Sequence, residues 1–301
     1  MSDIDNKYIK VTENIYTTPA TRLEFRSDLR PAHTSMMTCI ALPRELVFID
    51  CGMNKKFAAQ FREDMETHFG RKTSYLILDH MHDDHYMAMD VFKDVEVIAP
   101  EIGVKSFEVD LKSPDEDYEQ MLEDTAKLYS DDEDIAKTIK DAELFVPTKL
   151  VKEKLTIGPE GNEILIELVG GHSKDSMYVY FEKDEVLCAG DNIVTCYAQY
   201  VFDPKIIDTY KHWESMSIKH VIAGHGSVVK TEYIEKVRKY FEELLIKLKE
   251  LKNKNLSAEE VAAHPDLPVY FASKEDFWEE GRKEHTGWIN YITKYWYEKY
   301  C

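Results

Sequence analysis

Short runs of apolar residues alternate with polar turns over the first third of the chain. These runs are rich in β-branched and aromatic residues, which favour strands, and they cover residues 8–16, 35–42, 45–50, 74–79 and 95–100. Between the third and fourth runs, bulky apolar side chains recur every fourth residue over 56–69, which predicts an amphipathic helix. The pattern therefore predicts several short strands with a helix between them.

The same β pattern returns after residue 142. Strand-like runs cover residues 143–147, 149–158, 163–170, 176–190 and 219–224. The fourth run has the form of a hairpin that turns at Lys183 and Asp184. A helix is predicted between the last two runs, over 207–219.

The chain is predicted to end in helices. Beyond residue 230, apolar residues at helical spacing predict a long helix with one core-facing stripe. The stripe consists of Ile234, Val237, Phe241, Leu244, Leu248 and Leu251. Ser257 and Glu260 have the spacing of a capping box for a further short helix, which Pro265 would end.

Residues 101–145 differ from the rest of the chain in charge. They hold 15 acidic and 5 basic residues, a net charge of −10. Ser113 and Pro114 are suited to the N-cap and first position of a helix over 115–129. We interpret this segment as a solvated helical insertion, with a lid over a pocket as the alternative.

Strands occur in both halves of the chain, and helices follow them in each half. This order suggests two similar β-rich halves packed face to face with helices outside. We therefore expect one domain over residues 1–229, with the acidic insertion at about 101–145. Residues 230–301 are expected to form a C-terminal helical extension packed on the same domain.

The overall charge restricts the possible partners. The chain has 301 residues, 38 basic against 57 acidic, and a net charge of −19. Because such a surface repels phosphate backbones and no basic patch is evident, we expect no nucleic-acid partner. We also expect no membrane association and a cytoplasmic location, since no signal peptide or long apolar run is present. The five cysteines contain no CxxC pair, so no disulfide framework is expected.

The segment HMHDDH, residues 80–85, concentrates three histidines and two aspartates in six positions. This segment could be a charged loop or the solvated start of a helix, with no functional role. The alternative hypothesis is that it forms a metal site. Alternate side chains of an extended backbone point the same way, so His80 and His82 can reach one ion. Asp84 and His85 turn onto the start of the next helix and can face a second ion.

Three further polar residues stand where predicted strands end. His172 follows two glycines, Asp191 follows Gly190, and His225 lies between two more glycines. Imidazoles and carboxylates at the ends of buried strands are costly unless they neutralise one another. The sequence therefore predicts one metal site built from His80, His82, Asp84, His85, His172, Asp191 and His225.

The order HxHxDH, GGH, GD and GHG resembles the metallo-β-lactamase superfamily, and VFIDCG at 47–52 is similar to an early strand of that family. The resemblance covers about residues 8–228. It implies an α/β fold, a four-layer αβ/βα metallo-β-lactamase sandwich, here with the acidic helical insertion and the C-terminal helical extension.

The resemblance also implies how the ligands are shared between two metals. His80, His82 and His172 would bind one ion, and Asp84, His85 and His225 would bind the other. Asp191 would bridge the two together with a hydroxide. We expect two divalent ions, with zinc as the first choice and iron or manganese as alternatives.

Such a centre has a defined chemistry. Two ions about 3.5–4 Å apart can lower the pKa of a bound water to about 7, and the hydroxide then attacks a carbonyl or phosphorus. Asp84 is the predicted catalytic residue, because it can orient the water or relay its proton. Asp50 is a candidate for holding a ligand histidine in place, or simply caps a turn.

The expected substrate is small. Secreted β-lactamases carry export signals and nucleases need a basic surface, which leaves a binuclear hydrolase of esters, thioesters or lactones. An iron-containing redox enzyme remains an alternative, because HSKDSM (172–177) is similar to the flavodiiron branch and HxHxDH also occurs in persulfide dioxygenases. However, the flavodiiron branch typically has Glu where this chain has His82. A metal-bearing sensor is a third hypothesis.

Several other residues are candidates for contact with substrate or with a second copy of the chain. The candidates near the site are His33, Ser173, Lys174, Asn192 and Tyr197. The C-terminal segment is dense in aromatic residues, which would pack in the core, form a pocket wall or make a homodimer surface. These aromatic residues are Tyr270, Phe271, Phe277, Trp278, Trp288, Tyr291, Tyr295 and Trp296.

Overall fold

The computed structural model describes residues 3–19, 35–111, 115–128, 130, 133–254, 256–272 and 279–301, without the side chains of 3, 115–118, 128 and 279–286. Within these ranges the strands are β1 Ile9–Lys10, β2 Ile15–Thr17, β3 Thr38–Ala41, β4 Glu45–Ile49, β5 Lys72–Ile77, β6 Glu96–Pro100, β7 Lys149–Val151, β8 Lys154–Ile157, β9 Ile164–Leu168, β10 Met177–Phe181, β11 Val186–Cys188, β12 His220–Ile222 and β13 Val228–Val229. The helices are α1 Asp3–Lys7, α2 Lys55–Phe69, α3 Asp83–Tyr86, α4 Glu101–Leu111, α5 Asp115–Leu128, α6 Glu133–Lys140, α7 Ile206–Ser215, α8 Thr231–Lys252, α9 Ala258–Ala262 and α10 Glu279–Tyr300.

The strands form two sheets. The first contains β1 to β7 in chain order, antiparallel from β1 to β4 and parallel from β4 to β7. The second has the order β13-β12-β11-β10-β9-β8, and within it only the pair β11 and β12 is parallel. Because parallel strands end at the same edge, residues that follow β4, β5, β11 and β12 are brought towards common positions.

Both faces of the first sheet are buried, and side chains alternate between them. In β4, Leu46 and Phe48 face one apolar cluster, and Val47 and Ile49 face the other. The second cluster also contains residues of the second sheet, such as Ile166. A strand covered on both faces reads as a continuous apolar run, which is why 45–50 was recognisable in the sequence.

Helices cover the outer face of each sheet. The first sheet is covered by α2, α4, α5 and α6, and the second by α7, α8 and α10. The resulting order, helices, sheet, sheet, helices, is the predicted four-layer sandwich. The acidic insertion is not merely solvated, because Val104, Phe107, Ile135 and Ile139 of its helices are buried against the first sheet.

Three predicted strands differ from the structure. Residues 143–147 form no strand, because the partly buried Leu144 and Phe145 pack on the helical side of the first sheet and have no strand beside them. The run 149–158 divides into β7 and β8, which belong to different sheets. The run 8–16 likewise divides, into β1 and most of β2, which pair with each other.

The C-terminal helices pack as the stripe predicted. All six of its residues are buried in α8, and the capping box of Ser257 and Glu260 is formed at the start of α9. The hairpin through Lys183 and Asp184 is also present, between β10 and β11.

All five cysteines are free. Among the described residues, no helix combines the length and the apolar character needed to cross a membrane.

Two positions of α8 test this packing with matched aliphatic residues. Leu248 is 0% exposed and Ile246 is 59% exposed. Leu248→Ala should lower the free energy of unfolding by about 2–5 kcal/mol, since it removes buried methyl groups and leaves a cavity. Ile246→Ala should change it by less than about 0.5 kcal/mol. Urea denaturation followed by circular dichroism measures both, and equal effects would contradict the packing of α8 on the sandwich.

Candidate metal centre

Each predicted ligand lies just beyond the carboxyl end of a strand. His80 follows β5, and the next three ligands lead into or lie within α3. The remaining three follow β9, β11 and β12 of the second sheet. Two backbone hydrogen bonds tie the sheets together here, from Met177 N to the carbonyl of Asp79 at 2.8 Å and from Met36 N to the carbonyl of Gly224 at 2.8 Å. The structure therefore brings all seven predicted ligands into one cluster.

Three of the histidines form the first group. Side-chain atoms of His80, His82 and His172 that could bind a metal lie within 4.8 Å of one another. The closest pair is His172 Nε2 and His82 Nδ1, at 3.1 Å. His82 is exposed, whereas the other two are buried. This group therefore meets solvent on the side of His82.

The second group contains a carboxylate. Asp84, His85 and His225 also place ligand atoms within 4.8 Å of one another. Asp84 Oδ2 lies 3.0 Å from Nε2 of His225 and 3.7 Å from Nε2 of His85. One carboxylate thus faces two imidazoles.

Asp191 lies between the two groups. Its Oδ1 is 3.4 Å from Nε2 of His85 and 3.4 Å from Nε2 of His225. Its Oδ2 is 3.5 Å from Nε2 of His172. The two oxygens therefore face different groups, as a bridging ligand requires.

Several buried atoms of this cluster have no hydrogen-bond partner. They are Nε2 of His80, Nε2 of His85 and Oδ1 of Asp191. Buried polar atoms without a partner are rare, and each needs an explanation. Nitrogen and carboxylate oxygen atoms that face one another at these distances are suited to divalent metals such as zinc. The residues present are therefore chemically suited to holding divalent metal.

Two aspartates lie behind the histidines and orient them. Asp50 Oδ2 is 2.9 Å from Nδ1 of His85, and its Oδ1 accepts a hydrogen bond from Asp79 N at 3.0 Å. Asp79 Oδ1 is 2.6 Å from Nδ1 of His80. A carboxylate at Nδ1 fixes the ring so that Nε2 presents its lone pair to the centre.

Sequence reasoning proposed Asp50 for this position and missed Asp79. The available signal was that Asp79 directly precedes a ligand, and that it follows β5 just as Asp50 follows the neighbouring parallel strand β4. Gly190 leaves space for it. A Cβ at Gly190 would lie 2.6 Å from Asp79 Oδ2, and its φ of +53° also favours glycine.

Other side chains form hydrogen bonds that hold the ligand loops in place. Asn192 Oδ1 accepts a hydrogen bond from His172 N at 2.8 Å. Gln199 Nε2 donates to the carbonyl of Asp191 at 2.7 Å, and its Oε1 accepts from Val194 N at 2.7 Å. Ser173 Oγ donates to Asp175 at 2.6 Å. Asn192 and Ser173 thus have hydrogen-bond partners within the protein, and their contact with substrate stays a prediction.

Aromatic residues form one wall of the centre. The Tyr200 ring lies 4.7 Å from the ring of His172 and is stacked at 4.3 Å on Trp288 of α10. Tyr197 lies 5.9 Å from His225. The C-terminal segment also packs in the core, where Trp296 is 0% exposed. Core packing is therefore confirmed for Trp296, whereas the pocket-wall and homodimer interpretations of this segment stay predictions.

Some sequence candidates fall elsewhere. His33, Phe277 and Trp278 lie outside the described residues. Lys174 is exposed and lines a cavity of about 340 Å³ that begins at His82. The cavity lies between the two ligand loops and α4 of the acidic insertion. Helix α4 of the insertion thus lines a cavity beside His82, and a role of the insertion as a lid stays a prediction.

The environment lowers the pKa of His172 and raises the pKa of His225. Burial lowers the pKa of His172 to about 3, so this imidazole is neutral. Burial also disfavours the charged form of His225, but the carboxylates of Asp191 and Asp84 raise the pKa of His225 to about 10. The histidines near both carboxylates hold a proton in the place where a cation would lie. Burial likewise acts on Asp50, whose pKa is raised to about 7, with the nearby charge of Asp79 as the second cause.

Comparison with known protein families gives one match. The model of the family described as the metallo-beta-lactamase superfamily matches residues 33–225, which is more than half of the chain. A sequence search of curated proteins finds no match.

Solved structures with the same fold include enzymes of different activities. A metallo-beta-lactamase from Pontibacter korlensis is similar with a TM-score of 0.54 and 15% identity, over 78% of this chain and 98% of that chain. The stereoselective inverting sec-alkylsulfatase Pisa1 from Pseudomonas sp. is similar with a TM-score of 0.67 and 16% identity, over 97% of this chain. The present chain spans about half the length of that alkylsulfatase, 50%. VMB-1 is similar with a TM-score of 0.52 and 14% identity, over 77% of this chain and 94% of that chain. Similarity at this level concerns the fold and not the substrate.

The raised pKa of His225 predicts how metal binding depends on pH. In metal-free protein, the charged imidazole stabilises the fold fully below the pKa of about 6.5 of an unfolded histidine, and this stabilisation is lost as pH rises towards about 10. A divalent ion replaces the proton and keeps the carboxylates neutralised. The increase in Tm caused by zinc should therefore be larger at about pH 9 than at about pH 6.5. Differential scanning fluorimetry of chelator-treated and zinc-loaded protein tests this, and a constant or decreasing difference would contradict it.

Proposed function

The chain belongs to the metallo-beta-lactamase superfamily, and on that basis we propose that it is a hydrolase with two divalent metal ions, zinc in the first instance. We further propose that the substrate is a small ester, thioester or lactone. The superfamily contains metal-dependent hydrolases in general, so the proposal concerns the number of ions and the kind of bond.

One observation carries the proposal of two ions. The two ligand groups are separate, yet the two oxygens of Asp191 face one group each, at 3.4 Å from His225 and 3.5 Å from His172. Nitrogen and oxygen atoms at the centre of this arrangement are buried and lack a hydrogen-bond partner. A single ion would satisfy one group and leave the other without a partner, whereas two ions would satisfy both.

The ions and the protein would have distinct roles. When bound, the ions would lower the pKa of a water to about 7 and polarise the bond to be cleaved. Asp50 and Asp79 keep the rings of His85 and His80 in one orientation. Fixed rings cost no reorganisation when charge develops during the reaction, which is how preorganised groups accelerate it.

Asp84 is the residue we propose to handle the proton. Its side chain is 17% exposed, more than that of Asp191 at 2%, so it faces the solvent side of the centre. Despite burial, the charges of His85 and His225 and the hydrogen bond to His225 hold the pKa of Asp84 well below its usual range. An ionised carboxylate here can orient the attacking water and relay its proton to the leaving group.

The net charge of the protein and the volume of the cavity beside His82 support a small acyl substrate. A net charge of −19 opposes the approach of a polyanion, whereas a neutral carbonyl is not repelled. The cavity beside His82 has a volume of about 340 Å³, at the lower end of pockets that hold small molecules. We therefore propose a small-molecule substrate and no nucleic-acid partner.

Metal content tests the binuclear proposal. Protein purified without chelator should contain about two equivalents of metal per chain by plasma mass spectrometry. His82→Ala should reduce this to about one, because the first group loses one of three histidines. His68→Ala, which removes an exposed histidine of α2, should leave about two. One equivalent in the unmodified protein would refute the second site, and iron with visible absorbance and oxygen consumption would favour a redox enzyme.

Activity tests the substrate class. The zinc-loaded enzyme should hydrolyse 4-nitrophenyl acetate, a thioester or a lactone, and it should not cleave RNA. Asp191→Asn should lower kcat/KM by at least about a hundredfold with unchanged circular dichroism, since the core does not depend on that carboxylate. Asp208→Asn, an exposed position in α7, is the control.

An alkyl sulfate belongs in the same assay, because the alkylsulfatase similarity extends over 97% of this chain. Hydrolysis of the alkyl sulfate without acyl hydrolysis would overturn the acyl substrate and keep the metal-dependent hydrolase. Full turnover by Asp191→Asn would refute the role of Asp191.

A further inference from the structure

The first helix of the acidic insertion lies directly on both ligand loops. A Cβ added at Gly103 in α4 would lie 2.2 Å from Asp175 Oδ2 and 2.8 Å from Met81 Cγ. Met81 stands between His80 and His82, and Asp175 is three residues beyond His172. Only a glycine permits this close approach, so α4 has a fixed position beside the centre.

The two ligand loops are also tied to each other below α4. Asp175 is buried, its Oδ2 accepts a hydrogen bond from Met81 N at 2.8 Å, and its Oδ1 accepts one from Ser173 Oγ at 2.6 Å. Both carboxylate oxygens are thus engaged by the protein. The floor beneath α4 is therefore rigid, and this carboxylate is not available to a ligand.

The space that remains between α4 and the loops is the cavity of about 340 Å³. It starts at the exposed ligand His82, and its apolar wall includes Tyr86, Ile102 and Phe107. The rings of Tyr86 and Phe107 support each other edge to face at 5.0 Å. Charged groups, Lys174 and Asp110, also line it, and both are exposed.

Ile102 gives the cavity its most accessible apolar surface. This side chain is 45% exposed, although an isoleucine beside a metal-ligand loop gains nothing from contact with water. Consider a substrate whose carbonyl lies at the centre and whose linear aliphatic chain extends past His82. That chain would cover Ile102, and both apolar surfaces would be removed from contact with water. Each methylene buried in this way favours binding by a similar increment.

We infer that this cavity binds the aliphatic acyl chain of the substrate and that Ile102 of the acidic insertion determines preference for chain length. The inference rests on the proposed hydrolase and narrows its substrates to esters or thioesters with a straight aliphatic acyl chain, each buried methylene of which favours binding. The acidic insertion is then a specificity element and not only a cover for the first sheet.

Binding of straight-chain carboxylates tests this without any turnover. In isothermal titration of zinc-loaded protein with acetate, butyrate, hexanoate and octanoate, the carboxylate is common to the series and only the chain changes. Affinity should rise about fourfold for each methylene from acetate to hexanoate. Ile102→Ser should flatten this rise.

Val109→Ser is the matched control, because Val109 is another exposed aliphatic residue of α4, 67% exposed, that does not line the cavity. It should leave the rise intact. As a second variant, Ser106→Phe places a ring in the cavity and should weaken binding of hexanoate more than of acetate. A flat series in the unmodified protein, or equal effects of Ile102→Ser and Val109→Ser, would overturn the inference.

The same series of 4-nitrophenyl esters separates the two proposals. If the esters are hydrolysed but kcat/KM does not depend on chain length, the hydrolase stands and the role of the cavity is refuted. If carboxylates bind with the expected dependence on length but no ester is hydrolysed, the cavity stands and the acyl hydrolase is refuted. If kcat/KM and affinity rise together and fall together in Ile102→Ser, both are supported.

Discussion

The candidate metal centre depends on the mutual neutralisation of imidazoles and carboxylates buried between the ends of two sheets. An isolated buried charge costs several kcal/mol, and a buried polar group without a partner also carries a penalty. Here His85, His172 and His225 all face Asp191, which is 2% exposed. No one of these residues could be tolerated in this place alone. The cluster is therefore stable as a unit, and its remaining unpartnered atoms are the ones directed at the centre.

The rest of the sandwich keeps these groups at fixed distances. Parallel neighbours β4 and β5 deliver Asp50 and Asp79 side by side, and parallel neighbours β11 and β12 deliver Asp191 and His225 in the same way. Backbone hydrogen bonds then join the two sheets across the centre. The rigid apolar core thus holds the candidate ligands close together. Without it, repulsion between like charges and solvation of each group would separate them.

Two segments outside the ligand loops complete the surroundings. The C-terminal helix α10 supplies Trp288, which stacks on Tyr200 and so supports the ring beside His172. The acidic insertion supplies α4, which approaches the loops through Gly103. One segment therefore closes the centre on one side, and the other shapes the approach at the exposed His82.

The sequence by itself predicted most of the elements and the candidate ligands, because both leave local patterns. Continuous apolar runs indicated β3 to β6, the helical stripe indicated α8, and the HxHxDH segment indicated a metal site at a strand end. Relations between distant residues were decided by the tertiary structure. Asp79 became a partner of His80 because β4 and β5 are neighbours, and the run 149–158 divided because its two halves pair with β6 and β9 in different sheets. The contact of Trp288 with Tyr200 and the position of α4 over His82 likewise follow from how layers pack, and packing depends on shape complementarity between segments that no local pattern records.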